Sequence, residues 1–213
     1  MATRWLRDGS WWAQVAGGAI AFPIAVLLHE LGHFVVFSAF GFPDLTLRYA
    51  AVSWEGTGAF KRLWQSGDLE AAAAIVEPWQ VAVGVAAGPI LSYLLVIGCV
   101  LAIRRFGPGP LSVVLGVGLV TPLRWLGAIP ILVSKLRGAG FTSNTDEGWV
   151  AMVTGIPESL LLLLGLTCLL LASWFLVAAI PRDRRMRVVV PTSGGVILGG
   201  LLWALWLGPL LLP

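Results

Sequence analysis

Two histidines occur in the chain, His29 and His33, and with Glu30 they form the pattern His-Glu-x-x-His. On a helix, positions i and i+4 share one face, so both imidazoles can reach one metal ion. Glu30 sits one step round from His29, placed to hold and deprotonate a water on that metal. The motif lies in an apolar run over residues 11–40, long enough to cross a bilayer. A histidine on an apolar helix is more commonly a packed, hydrogen-bonded core residue. An unpaired acid in lipid, however, costs about 2.5 kcal/mol or more. That cost favours the metal reading of His29, Glu30 and His33 over the packing one.

A catalytic zinc site keeps three protein ligands and one open position. With both histidines used, the third ligand must be Asp, Glu or Cys. Cys99 and Cys168 lie in apolar runs and read as small buried side chains. Asp146 is the first choice and Glu147 the second. They follow the polar stretch 135–148 and precede a helix-like segment over 149–153, from which a carboxylate can reach back into a bundle. Asn144 is placed to donate a hydrogen bond to a ligand or to an oxyanion. Asn-Thr-Asp-Glu also reads as a helix N-cap with acids in the first turn, a role compatible with ligation.

The elements that must position these groups are mostly apolar. Of 213 residues, 58% are hydrophobic and 12% charged, where a soluble domain has about 25% charged. The expectation is an all-α integral membrane protein, a polytopic helical bundle of about five to six spans. It forms a single membrane domain over 1–213, with a catalytic core at about 21–155 and accessory C-terminal spans at about 156–213. The net charge of +3 suits basic cytoplasmic loops. No basic patch interleaved with aromatics stands in a polar segment, so nucleic acid is not an expected partner. Arg4 and Arg7 precede an apolar run, as in a signal peptide, but the run is too long and contains the metal motif, so cleavage is not expected. Trp5, Trp11, Trp12, Trp64 and Trp79 fall near span ends, where indoles suit the interface.

The first span covers about 11–40, with Pro23 placed to kink it ahead of the motif. Gly32 leaves room for another helix or a substrate backbone. Residues 45–54 have strand-like composition, and 55–58 is a turn signal. A short strand or hairpin at the membrane surface is expected there, with an edge able to pair with an extended peptide; a plain connecting loop is the other reading. Residues 61–77 read as one amphipathic interfacial helix. The second span, 78–103, carries Gly84 and Gly88 as a close-packing stripe. Ala87-Gly88-Pro89 is expected to break its ladder, with Ser92 one turn on, either at a substrate cleft or as a packed kink, the reading the span favours on its own. The third, 111–133, is interrupted at Thr121-Pro122 and by Arg124, which marks a pair, a snorkelling side chain or a polar cavity. The fourth covers 160–180. A basic loop over 181–187 leads to a fifth, 194–212, in which Gly195 and Gly199 suggest helix contact.

His29-Glu30-Leu31-Gly32-His33, then Ala87-Gly88-Pro89-Ile90-Leu91-Ser92 in the next span, then an Asp after a third span, resemble the site-2 protease family of intramembrane zinc metalloproteases. The resemblance covers about 21–155 and implies a three-helix core. It implies Zn2+ as cofactor, Glu30 as general base and Asp146 as the third ligand. The Gly88-Pro89 motif would then lie near the active site, and the strand-like loop would help hold a membrane-protein substrate. The family usually has Asn where Ser92 stands, and Leu-Asp-Gly where Asp146 is followed by Glu147. The chain reads as a divergent, minimal-core relative. Arg124 and Asn144 are candidates to line the cleft.

In a bacterial-type cell membrane, an inside N-terminus gathers Arg4, Arg7, Arg104, Arg105, Arg182, Arg184, Arg185 and Arg187 inside, against Arg48, Lys61, Arg62, Lys135 and Arg137 outside. The positive-inside rule favours that orientation; the resemblance implies the opposite. Competing functions are a non-hydrolytic metal-binding membrane protein (transporter or inactive regulator), a membrane zinc hydrolase of a lipid-linked substrate, and a structural bundle with a coincidental motif.

Overall fold

A computed structural model describes residues 11–120, 122–138 and 144–212, and for 122–126 the backbone alone. Arg4, Arg7, Trp5, Thr121 and the side chain of Arg124 lie outside the described residues. The described residues are mostly helical, with one two-stranded sheet among them. Among the described residues four helices are long and apolar enough to cross a membrane: α1 (Trp11–Ala39), α4 (Pro78–Phe106), α8 (Glu158–Ala179) and α9, which runs from Arg185 through a π-helical turn at Trp203–Leu207 to Leu211. Large side chains on their outer faces, such as Ile97, Leu101, Leu164 and Trp174, are exposed. A helix apolar all round needs either a core or a lipid environment on every side.

Gly41, with φ +74°, ends α1 in the left-handed conformation that glycine adopts without strain. The hairpin follows, with β1 (Thr46–Arg48) antiparallel to β2 (Ala51–Ser53) and Leu47 opposite Val52. Its turn is Tyr49-Ala50. The turn signal at 55–58 instead leads into α2 (Thr57–Ser66), whose first residue follows Gly56 at φ +91°. Tyr49 is tied to the end of α9: its N–H donates to Leu212 O at 3.1 Å, and its carbonyl accepts from Trp203 Nε1 at 2.9 Å. The hairpin tip therefore inserts among the long helices and does not lie flat on their ends.

The single amphipathic helix expected over 61–77 is two shorter ones, α2 and α3 (Leu69–Ala73). Gly67 at φ +84° stops the first, and Asp68 caps the second through Ala71 N–H. Helix α4 runs unbroken through Gly88-Pro89, contrary to the expected break. A proline removes one ladder donor, and packing on both sides holds the remainder. The interrupted third span is two helices, α5 (Pro110–Leu119) and α6 (Pro122–Leu136). Helix α7 (Asp146–Thr154) is capped by Thr145, whose hydroxyl accepts from Gly148 N–H at 3.1 Å. The last long helix begins at Arg185, nine residues before the expected 194.

Glycine sets the helix spacings. A Cβ on Gly18, Gly195 or Gly199 would collide with backbone across the α1–α9 seam, at Thr192, Val15 and Ala19 respectively. Gly32 meets the Ala87 carbonyl and Gly88 Cα, so its role is to admit α4. Two clusters result. The larger joins α1, α4, α5, α8 and α9 around Phe22, Val96, Val113, Leu176 and Val196. The smaller gathers Phe37, Phe42, Trp54, Phe60 and Val81 under α2, with Trp149 and Met152 of α7 against it. Lys135 and Glu158 form a 2.7 Å ion pair between α6 and α8.

Candidate metal centre

His29 and His33 project from one face of α1 toward α4 and the start of α7. Their Nε2 atoms are 3.2 Å apart. Asp146 approaches from α7, with Oδ2 at 3.0 Å from His29 Nε2 and Oδ1 at 3.5 Å from His33 Nε2. Four donors about 2.0–2.1 Å from a tetrahedral ion would stand about 3.3 Å from one another. The three observed separations bracket that value.

What stands behind the rings fixes their tautomer. His33 Nδ1 is 2.9 Å from Gly84 O, a pure acceptor, so Nδ1 carries the hydrogen. Ser92 Oγ donates to Gly88 O at 3.1 Å, which leaves its oxygen to accept from His29 Nδ1–H at 3.0 Å. Each neutral ring then presents its Nε2 lone pair inward, toward the other ring and toward a carboxylate. One proton satisfies a single one of these contacts. A divalent cation satisfies all three, and an acceptor bonded to the far ring nitrogen is the usual support of a metal-bound imidazole.

Glu30 belongs to the same cluster. One ligand atom from each of His29, Glu30 and His33 can be chosen so that all lie within 4.8 Å of one another. Its side chain is buried, as is that of His33. Two cavities flank the histidines, and Glu30 lines both. One, of about 340 Å³, is walled by β2, Trp54, Asn144, Asp146 and Trp149. The other, of about 220 Å³, lies against His29, Ser92 and the hairpin tip at Ala50. A carboxylate that lines two clefts, each walled mainly by apolar groups with a few polar ones, is placed to exchange a proton with water entering from either side.

The remaining sequence candidates are placed as follows. Gly88 sits directly against both imidazoles, where any Cβ would meet His33 Nε2 and His29 Nε2. Pro89 lines a separate crevice between α4 and α8. Glu147 lines that crevice with Oε1 near Gly165, while Asp146 is the acid against the histidines. Asn144 lines the larger cavity, and its Oδ1 accepts from Lys61 Nζ. The side chain of Arg124 lies outside the described residues.

Sequence reasoning missed the Gly84 carbonyl, which no side chain advertises. It also missed Lys61 and Trp64 of α2, which hold α7. Lys61 Nζ lies 5.2 Å from the Trp149 ring centre, and Trp64 Nε1 donates to Met152 O at 2.7 Å. A basic and an aromatic residue on one face of a surface helix were the available signal.

No protein-family model, curated protein or solved structure matches the chain.

Proposed function

We propose that the protein is an intramembrane zinc metalloprotease, of the type its motifs resemble, that hydrolyses a peptide bond in or near a transmembrane segment of another membrane protein. The supporting observation is the donor triangle of His29 Nε2, His33 Nε2 and Asp146, with Ser92 and Gly84 accepting from both Nδ1–H groups behind it. Zn2+ bound there supplies a Lewis acid and lowers the pKa of water to about 7. His29, His33 and Asp146 would hold the ion beside the two clefts. Glu30 takes a proton from the attacking water and passes it to the leaving amine, so the two protons of the water end on the two new termini. A helical substrate hides its carbonyls in its own hydrogen bonds. It must reach Glu30 as extended chain, and β2 along the larger cleft offers an extended backbone beside it.

The four long helices, with α5 and α6 as one broken crossing, make five spans of a cell membrane. The basic ends at Arg104, Arg105 and 182–187 put the N-terminus inside. The test is metal content and turnover of the detergent-purified protein. Roughly one zinc per chain is expected, lost in His33→Ala and in Asp146→Ala. Glu30→Gln should keep the zinc and lower cleavage of a single-span reporter protein by about 10²–10⁴-fold. Undiminished cleavage in Glu30→Gln removes the general base, and undiminished zinc in Asp146→Ala removes the third ligand.

A further inference from the structure

Helices α4 and α8 leave a groove of about 420 Å³ on the outside of the bundle. Its walls are Ile97, Val100, Leu101, Leu171, Ala172 and Phe175, and Arg104 stands at one end. At the other end Tyr93 Oη donates to Gly165 O at 3.0 Å, which bridges the two helices and closes the floor. Beyond that bridge the crevice turns acidic, with Asp146 and Glu147 on its wall. The open end is basic. Arg104 and Arg105 occupy the last turn of α4. The segment after α8 returns to the same end, since Ile103, Ile180 and Val188 share one core cluster. It brings Arg182, Arg184, Arg185 and Arg187, with Asp183 as the one acid, 3.4 Å from Arg184 Nε. Arg185 is engaged with the carbonyls of Ile180 and Ala178, while Arg104 is exposed at the groove mouth.

We propose that this groove holds an acyl chain of an anionic phospholipid, with Arg104 on its phosphate. The dimensions select the occupant. From Tyr93 to Arg104 the groove follows about 16 Å of helix at 1.5 Å per residue. That is roughly half of a hydrocarbon core about 30 Å thick, the depth of one leaflet. A transmembrane helix of a partner needs the full thickness, and the Tyr93–Gly165 bridge interrupts it. The charge selects the headgroup. A cluster of arginines at the mouth attracts a net negative lipid and opposes the ammonium of a zwitterionic one. The inference rests on the membrane placement of the long helices and is independent of hydrolysis.

The test uses the full chain in detergent with equal amounts of phosphatidylglycerol and phosphatidylcholine of the same acyl composition. Retained lipid is counted by native mass spectrometry. Phosphatidylglycerol should be retained about five-fold or more over phosphatidylcholine. Arg104→Gln should lower the ratio about two-fold or more, since Arg105 and the 182–187 arginines remain, Ala172→Trp should lower retention of both lipids by filling the groove, and Arg62→Gln on α2 should leave the ratio unchanged. Equal retention of both lipids by the unaltered chain overturns the proposal. So does a preference undiminished in Arg104→Gln, or one lowered equally in Arg62→Gln. Retention of neither lipid overturns the proposal together with the membrane placement beneath it.

Discussion

The two imidazoles are oriented by groups that stand behind them, outside the donor triangle. Ser92 passes its own hydrogen to Gly88 O and so can accept from His29 Nδ1–H. Ser92→Ala deletes that acceptor and frees the ring to turn. Zinc affinity is expected to fall about 10–100-fold, the usual cost of losing such a partner. Competition against a chromophoric chelator measures it. An affinity equal to that of the unaltered protein would mean that packing alone orients His29. Gly88 admits no side chain for a simpler reason, since a methyl there occupies the space of both Nε2 atoms. Gly88→Ala should abolish zinc binding while circular dichroism reports an undiminished helix signal. Retained zinc would show that α1 and α4 can separate at no cost to the site.

Asp146, the proposed third ligand, arrives on a nine-residue helix, and something must hold that helix against α1. Helix α2 does so from the side. Lys61 bonds Asn144, two residues ahead of Asp146, and covers the Trp149 ring, while Trp64 takes the Met152 carbonyl. Each such bond contributes about 1 kcal/mol net. The double variant Lys61→Met, Trp64→Phe should therefore weaken zinc binding roughly ten-fold or more, with both histidines and Asp146 intact. The same chelator titration reads this out. If affinity is unmoved, contacts of α7 with α4 and α8 suffice, and α2 has no part in positioning Asp146.

For the whole molecule, the seam between the first and last long helices is the structural commitment. Between apolar helices in lipid there is no hydrophobic drive to associate, so close backbone approach has to supply the attraction. Gly18, Gly195 and Gly199 permit it, and each faces backbone that has nowhere to move. Gly199→Leu should lower the unfolding midpoint in detergent by the equivalent of about 1–3 kcal/mol or more. Gly98→Leu, on an open face of α4 with nothing near its Cβ position, should leave the midpoint unchanged. Equal effects of the two would mean that the seam is not what holds the ends of the chain together. The seam also explains why the hairpin tip stays inserted, since Tyr49 is bonded to Trp203 and Leu212 at the far end of the same helix.

The sequence by itself determined the helical character, the long apolar segments, and the histidine pair with its acid, because these depend on composition and on the 3.6-residue period. It also contained the interruption before Pro122, since a proline acts within one turn. It did not determine that α4 continues through Pro89, or that residues 61–77 form two helices. The first depends on packing from both sides, and the second on a left-handed glycine whose φ is chosen in context. Only the tertiary structure set Asp146 rather than Glu147 against the histidines, because neighbouring residues on one helix face directions about 100° apart. It alone recruited the Gly84 carbonyl and placed Lys61 beside Asn144. Contacts between residues 51 to 117 positions apart have no local signature, and the path of the chain in space decides them.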